Sequence, residues 1–147
     1  MSLASDTTIT LSSGISALSE LKIGDMVLAW RPKESINKPV IFSSGTEGGS
    51  RGQMVMYIEF DGNSLITTMD QVMILSDQTL KRADRLIAHF DRLLRADGQP
   101  VNVSKVSAGM YSKGLHHVAI DSSGTGGDHL IIANGVVCGD YLLETRI

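Results

Sequence analysis

A repeated pair of short segments constrains this chain more than any single residue does. Leu11-Ser12 recurs as Leu75-Ser76, and Asp25-Met26-Val27-Leu28 recurs as Asp91-Arg92-Leu93-Leu94, with the two segments 14 residues apart in the first copy and 16 in the second. In both copies an apolar run ends in a turn signal and a second apolar run follows. A duplicated strand, turn, strand unit accounts for this, because two such units bury together the apolar face that one alone leaves in water. Chance likeness of short apolar strings is the other explanation. The choice decides residues 76–98, where Leu80, Ala83, Leu86, Ile87, Phe90, Leu93 and Leu94 also recur at helical spacing between a Ser76 cap and a Gly98 stop. Read locally the segment is a helix. Read as a repeat, 93–95 is a strand and only about 81–88 is helical.

The rest of the chain reads as short strands. Residues 7–11, 26–30, 40–42, 54–60, 64–68, 100–106, 115–120, 130–132 and 136–138 are rich in β-branched and apolar residues and are bounded by turn signals. Asp61-Gly62-Asn63 closes one hairpin, and Asn134-Gly135 is the strongest hairpin signal in the chain. Pro32 and Pro39 exclude a helix between them, while 43–52 and 122–127 read as glycine loops. Met110-Tyr111 and 141–143 are further short extended pieces. The class is all-β with at most one short helix. At 147 residues the chain is read as a single domain, 1–147, long enough to bury about two thirds of its unfolded surface.

Composition narrows the function classes. A net charge of -3 gives no electrostatic reason to expect nucleic acid or an acidic membrane as partner. No apolar run is long enough to span a bilayer, and residues 1–20 lack the pattern of a signal peptide, so no localisation is assigned. The lone Cys138 forms no internal disulfide and reads as a buried small hydrophobe. His89, His116, His117 and His129 lack a metal spacing and read as structural or surface residues, with His129 the one to watch. The glycine loops lack the Lys-Ser/Thr step and helix of a phosphate cradle, so nucleotide binding is rejected. No metal and no cofactor are expected.

One stretch stands out as a site. Residues 65–75 form an extended apolar run interrupted by Thr67, Thr68, Asp70 and Gln71. Buried hydroxyls, carboxyls and amides are costly unless they bond each other or a substrate. The cluster is therefore either a pocket or an ordinary strand end with a turn at Met69-Asp70.

In order, these pieces resemble the Hint domain, the module shared by inteins and by the autoprocessing part of Hedgehog proteins, and the likeness is closest to the Hedgehog branch. The resemblance rests on the opening segment 2–14, on Leu18-Ser19-Glu20-Leu21-Lys22-Ile23-Gly24-Asp25-Met26-Val27-Leu28, on Ala83-Asp84-Arg85-Leu86 and Leu93-Leu94-Arg95-Ala96-Asp97, and on the closing strands through Tyr111-Ser112-Lys113-Gly114 and Ala133-Asn134-Gly135-Val136-Val137. It implies a pseudo-twofold duplicated fold. It also implies a self-catalysed acyl shift, in which the domain's first nucleophile attacks the carbonyl before it and a second nucleophile takes the acyl group.

Carried over residue by residue, the resemblance makes Ser2 the nucleophile and Thr68 the group that polarises the scissile bond. Gln71 stands where the family has a His, and a glutamine cannot shuttle a proton near neutral pH. Asp70 or His129 is the substitute the resemblance leaves open. The sterol-activating Asp of the Hedgehog branch falls near Ser44, with Glu47 the nearest carboxylate, and Asp140 stands where that branch has a Cys. The chain does not end in the His-Asn pair of splicing inteins. The expected partner is the domain's own upstream polypeptide, with water, a thiol or a small alcohol as acceptor. Two readings of Met1-Ser2-Leu3 stay open: a native start, or an expression scar in which Ser2 replaces a Cys. The alternative function is a catalytically inactive Hint-fold binding module.

Overall fold

Asp61 (φ 48°) with Gly62 (φ 72°), and Asn134 (φ 47°) with Gly135 (φ 85°), each place two successive residues in the left-handed region. This is the geometry of a two-residue type I′ turn, whose twist suits the strands it joins and which Asn, Asp and Gly tolerate. The first turn is one residue shorter than the sequence suggests, because Asn63 already pairs with Phe60.

The computed structural model describes residues 2–49, 51–121 and 129–144. The glycine loop read at 122–127 therefore lies outside the described residues. In chain order the elements are β1 (Leu3–Ala4), β2 (Thr8–Leu11), β3 (Gly14–Ala17), β4 (Met26–Ala29), β5 (Ile36–Gly45), β6 (Gln53–Phe60), β7 (Asn63–Thr67), β8 (Val72–Ile74), β9 (Leu80–Arg82), β10 (Arg92–Leu94), β11 (Pro100–Tyr111), β12 (Leu115–Ile120), β13 (Leu130–Ala133), β14 (Val136–Gly139) and a single-turn helix, α1 (Tyr141–Glu144). They form two antiparallel sheets, one ordered β10-β11-β6-β7-β1-β12-β5-β4 and the other β3-β2-β13-β14-β8-β9. The all-β expectation holds.

The duplication is visible in the backbone. β3 leads through a 3-10 turn at Leu18–Glu20 to β4, and β9 leads through a 3-10 turn at Ala83–Arg85 to β10. In each copy a left-handed residue follows, Gly24 (φ 96°) or His89 (φ 64°). An Asp then closes the turn: Asp25 Oδ2 accepts the Lys22 N–H at 2.9 Å, and Asp91 Oδ2 accepts the Ile87 N–H at 2.7 Å.

Residues 76–98 are therefore not a helix, and the helical part is shorter than 81–88. Their apolar spacing arises because extended segments drop Leu86, Leu93 and Leu94 into the core while Ile87 and Phe90 stay exposed. The α-helix lies instead at Tyr141–Glu144, which reads as extended from sequence. Two strands also run further than their apolar stretches: β5 continues through Ser43 to Gly45, and β11 joins 100–106 to Met110-Tyr111. Pro39 is tolerated inside β5 because it lies where that strand changes partner, from β4 up to Pro39 to β12 from Val40.

Both sheets contribute to one core, with Leu3, Ile9, Leu18, Val27, Ile58, Leu65, Met73, Leu93, Ile120 and Ile131 fully buried. A smaller cluster gathers Trp30, Ile74, Leu94, Ile132 and Val137.

Candidate active site at the buried first strand

β1 is only two residues long, yet it lies in the middle of the eight-stranded sheet between β7 and β12. Leu3 and Ala4 are buried and hold it there. Leu3 faces Thr67 on one side and His116 on the other, both antiparallel. One step back along an antiparallel strand is one step forward on each partner, so Ser2 falls between Thr68 and His117.

The hydrogen bonds follow that register. Thr68 N–H donates to the Ser2 carbonyl at 2.9 Å, and Ser2 N–H donates to Thr68 Oγ1 at 2.8 Å. The Ser2 hydroxyl oxygen lies 3.0 Å from His117 Nδ1. The Ser2 hydroxyl, its peptide nitrogen and the imidazole are thus fixed by the pairing of one short strand.

Thr68 carries one hydroxyl proton, and among the described residues its candidate acceptors are Asp70 Oδ1 at 2.9 Å and the Ser2 carbonyl at 3.3 Å. The carboxylate is nearer and charged, so it takes the proton and leaves a Thr68 lone pair facing Ser2 N–H. Burial alone would raise the Asp70 carboxyl. Hydrogen bonds, with Thr68 among the donors, outweigh that effect and hold it below the ordinary carboxylate value. The turn at Met69-Asp70 rotates Asp70 to the same side as Thr68, which strict strand alternation would not allow.

Sequence reasoning missed His117. Burial lowers its pKa, so the ring is neutral in the physiological range and Nδ1 can accept the Ser2 proton. Its ring stacks with Phe42 and Tyr141, with centroids 5.5 and 4.6 Å away, and those two rings are 5.6 Å from each other. The neighbouring His116 points the other way. Ser43 gives its one proton to the Leu21 carbonyl at 2.7 Å, so His116 Nε2–H donates to Ser43 Oγ, also at 2.7 Å. Burial lowers this pKa too. The only signal in the sequence was the alternation itself, which puts one of two adjacent histidines on each face without saying what either face meets.

The remaining expected site residues lie close by but are turned to other tasks. Gln71 is buried, and its amide donates to the carbonyls of Gly139 at 2.7 Å and Val72 at 3.2 Å, tying β8 to β14. His129 Nδ1 lies 2.9 Å from Asp140 Oδ2, and both residues are buried. Asp140 also accepts backbone N–H bonds from Ile120, Leu142 and Leu143. Burial raises the Asp140 carboxyl, and the hydrogen bonds from Ile120, Leu143 and His129 only partly oppose it. Ser44 pairs with His117 across β5 and β12. Cys138 is buried in β14. Among the described residues, no three His, Cys, Asp or Glu side chains converge as metal ligands.

Two spaces meet at Ser2. Ser2, Gln71, His117, Asp140 and Tyr141 line a cavity of about 10 Å³, close to the volume one water requires. Ser2, Thr68, Met69, Asp70, Gln53 and Arg82 border an open groove of about 430 Å³.

No protein-family model matches the chain, and no curated protein matches it in sequence. Solved structures do. The bacterial intein-like domain from Clostridium thermocellum superposes with a TM-score of 0.81 at 21% identity, over 95% of this chain and 98% of that one. The gp41-1 intein gives 0.74 at 14% identity, over 95% and 98%. A DnaB intein from Synechocystis sp. PCC 6803 gives 0.73 at 14%, over 95% and 97%. The chain has the Hint fold of inteins.

Proposed function

We propose that this domain cleaves the peptide bond before Ser2 by an acyl shift onto the Ser2 hydroxyl. One observation carries the reading: Ser2 is held at its hydroxyl by His117 and at its peptide nitrogen by Thr68, 3.0 and 2.8 Å away. Attack by Oγ needs a base for its proton, and expulsion of the nitrogen needs a hold on the leaving group.

In this reading His117 Nδ1 takes the Ser2 Oγ–H proton as the oxygen bonds the carbonyl carbon of residue 1. The carbon–nitrogen bond then breaks, the nitrogen takes the proton back from the imidazolium, and an ester to Ser2 remains. Thr68, oriented by Asp70, holds the nitrogen throughout. A histidine that serves first as base and then as acid needs no second proton donor, so the absence of a His at position 71 does not stop the step. The acceptor that opens the ester is small, water being the reading that the cavity of about 10 Å³ beside Ser2 favours. The open groove on the nitrogen side gives the upstream polypeptide its way out.

Placement in the Hedgehog branch rests on the sequence motifs from 2–14 to 133–137 alone, and the intein-like neighbours support only the fold. A binding module without chemistry is the second reading. It is favoured by Gln71, whose amide is committed to two backbone carbonyls.

The test is intact-mass spectrometry on a fusion with a small folded passenger before residue 2, with Ser2, Ser2→Cys, Ser2→Ala and His117→Gln compared, with and without hydroxylamine. Release from the first two, trapped as the hydroxamate and lost in the last two, supports self-cleavage. Intact fusions from every folded version support the module.

A further inference from the structure

We infer that Phe42 and Tyr141 form a ring clamp against one side of His117 that orients it toward Ser2, and that Asp140 sets the clamp by capping the helix that carries Tyr141. This rests on the reading of His117 as the base for Ser2.

A base histidine must be held about two side-chain torsions, and the usual device is a carboxylate on the ring nitrogen that does not face the nucleophile. Among the described residues no carboxylate bonds to His117. The buried carboxylate that shares its cavity, Asp140, bonds His129 instead. What His117 has is two flat rings packed against one side of its own. Phe42 lies 5.5 Å away with planes 15° apart, and Tyr141 lies 4.6 Å away with planes 19° apart. Phe42 and Tyr141 are themselves 5.6 Å apart, so the three rings form one cluster. Rotation about the second torsion would drive an edge of the imidazole into these rings, so the cluster opposes the swing that takes Nδ1 away from Ser2.

The two rings are supported differently. Phe42 is fixed by the pairing of β5 with β12, where it faces Ala119. Tyr141 is in a four-residue helix, too short to hold itself. Asp140 supplies the missing support. Its Oδ1 accepts the N–H groups of Leu142 and Leu143, both at 3.0 Å, and its Oδ2 accepts the Ile120 N–H at 2.8 Å. One carboxylate thereby ties the helix bearing Tyr141 to the strand bearing His117. Phe42, Tyr141 and Asp140 are positioning residues here, since each is argued to act on Ser2 through His117.

The test uses the whole chain with Ser2→Cys, following alkylation of the thiol at position 2 by iodoacetamide, with buried Cys138 as internal control. A nearby imidazole raises the thiolate fraction, so His117→Gln slows alkylation about ten-fold, Tyr141→Leu and Phe42→Leu slow it comparably, and Tyr141→Phe stays within about two-fold of the parent. Rescue by Phe shows that the ring and not the hydroxyl matters, and slowed alkylation at an unchanged melting temperature separates positioning from a structural role. Melting curves confirm folding, and if Tyr141→Leu does not fold, the half-exposed Phe42→Leu decides. Parent-like alkylation in folded Tyr141→Leu or Phe42→Leu overturns the clamp, as does parent-like alkylation in His117→Gln. Passenger release in the same variants is scored separately. If no version releases its passenger while the alkylation pattern holds, the clamp stands and self-cleavage falls.

Discussion

His117 Nδ1 lies 3.0 Å from the Ser2 hydroxyl oxygen, although 115 positions separate the two residues. The contact exists because β1 is inserted between β7 and β12, and in the proposed reaction it makes the imidazole, whose pKa burial lowers, the base for the serine. His117→Gln keeps the strand and removes the base, so passenger release slows by about 10²- to 10⁴-fold. The pH profile carries a second expectation. A base acts when deprotonated, and burial lowers the His117 pKa, so the acid limb of the release rate lies below the ordinary histidine value of about 6.5. Release rates measured from pH 4 to 8 check this, and an acid limb at or above that value contradicts it.

Thr68 and Asp70 act in series, and their variants should rank accordingly. Thr68→Ala removes the one side chain that, among the described residues, bonds the Ser2 nitrogen, and slows release by at least about 10²-fold. Asp70→Asn keeps an acceptor for the Thr68 hydroxyl and costs less than Asp70→Ala, which frees that proton to turn toward the Ser2 carbonyl. Single-turnover release rates give the order. Equal rates in Asp70→Asn and Asp70→Ala would mean that Asp70 does not orient Thr68.

Gln71 is expected to behave as a brace. Gln71→Leu fills the same space but leaves the buried Gly139 carbonyl without its donor, which lowers stability by about 1–3 kcal/mol. Release from the folded fraction is unchanged in this account. Chemical denaturation reads the first effect and release kinetics at low temperature read the second.

Asp140 gives a pH-dependent stability term of defined sign. Burial raises its folded pKa above the unfolded value of about 3.9, so the associated stability is full below that value and is lost as pH rises through the folded pKa. Asp140→Asn removes the titration and sets an NH₂ against the Ile120 N–H, at about 1–3 kcal/mol. The stability difference between parent and variant should therefore be largest near pH 4 and shrink as pH rises. Urea midpoints across that range show whether it does.

The fold was more legible than the site for a physical reason. Turn chemistry is local, so Asp61-Gly62 and Asn134-Gly135 announce their hairpins, and the repeat around Asp25 and Asp91 predicts a matching backbone that the structure contains. The site depends on which distant strands pair with β1 and in what register, and nothing near Ser2 or His117 encodes that. Thr68 and Asp70 were visible because a polar cluster in an apolar run is a local anomaly. The four-residue helix was not, because its support is a carboxylate preceding it and contacts from β12, while 141–143 alone is merely apolar.

The two turn-closing aspartates let the repeat be tested energetically. They make the same bond to the backbone of the preceding turn, but Asp91 is buried and also takes Lys81 Nζ at 2.7 Å, whereas Asp25 is exposed. Removing a buried acceptor strands both the Ile87 N–H and the lysine, so Asp91→Ala lowers stability by about 1.5–3 kcal/mol. Asp25→Ala exposes its orphaned N–H to water and costs under about 1 kcal/mol. Urea denaturation of the two single variants measures the difference. Equal costs would mean that the second copy gains nothing from burying its aspartate, contrary to the asymmetry in its surroundings.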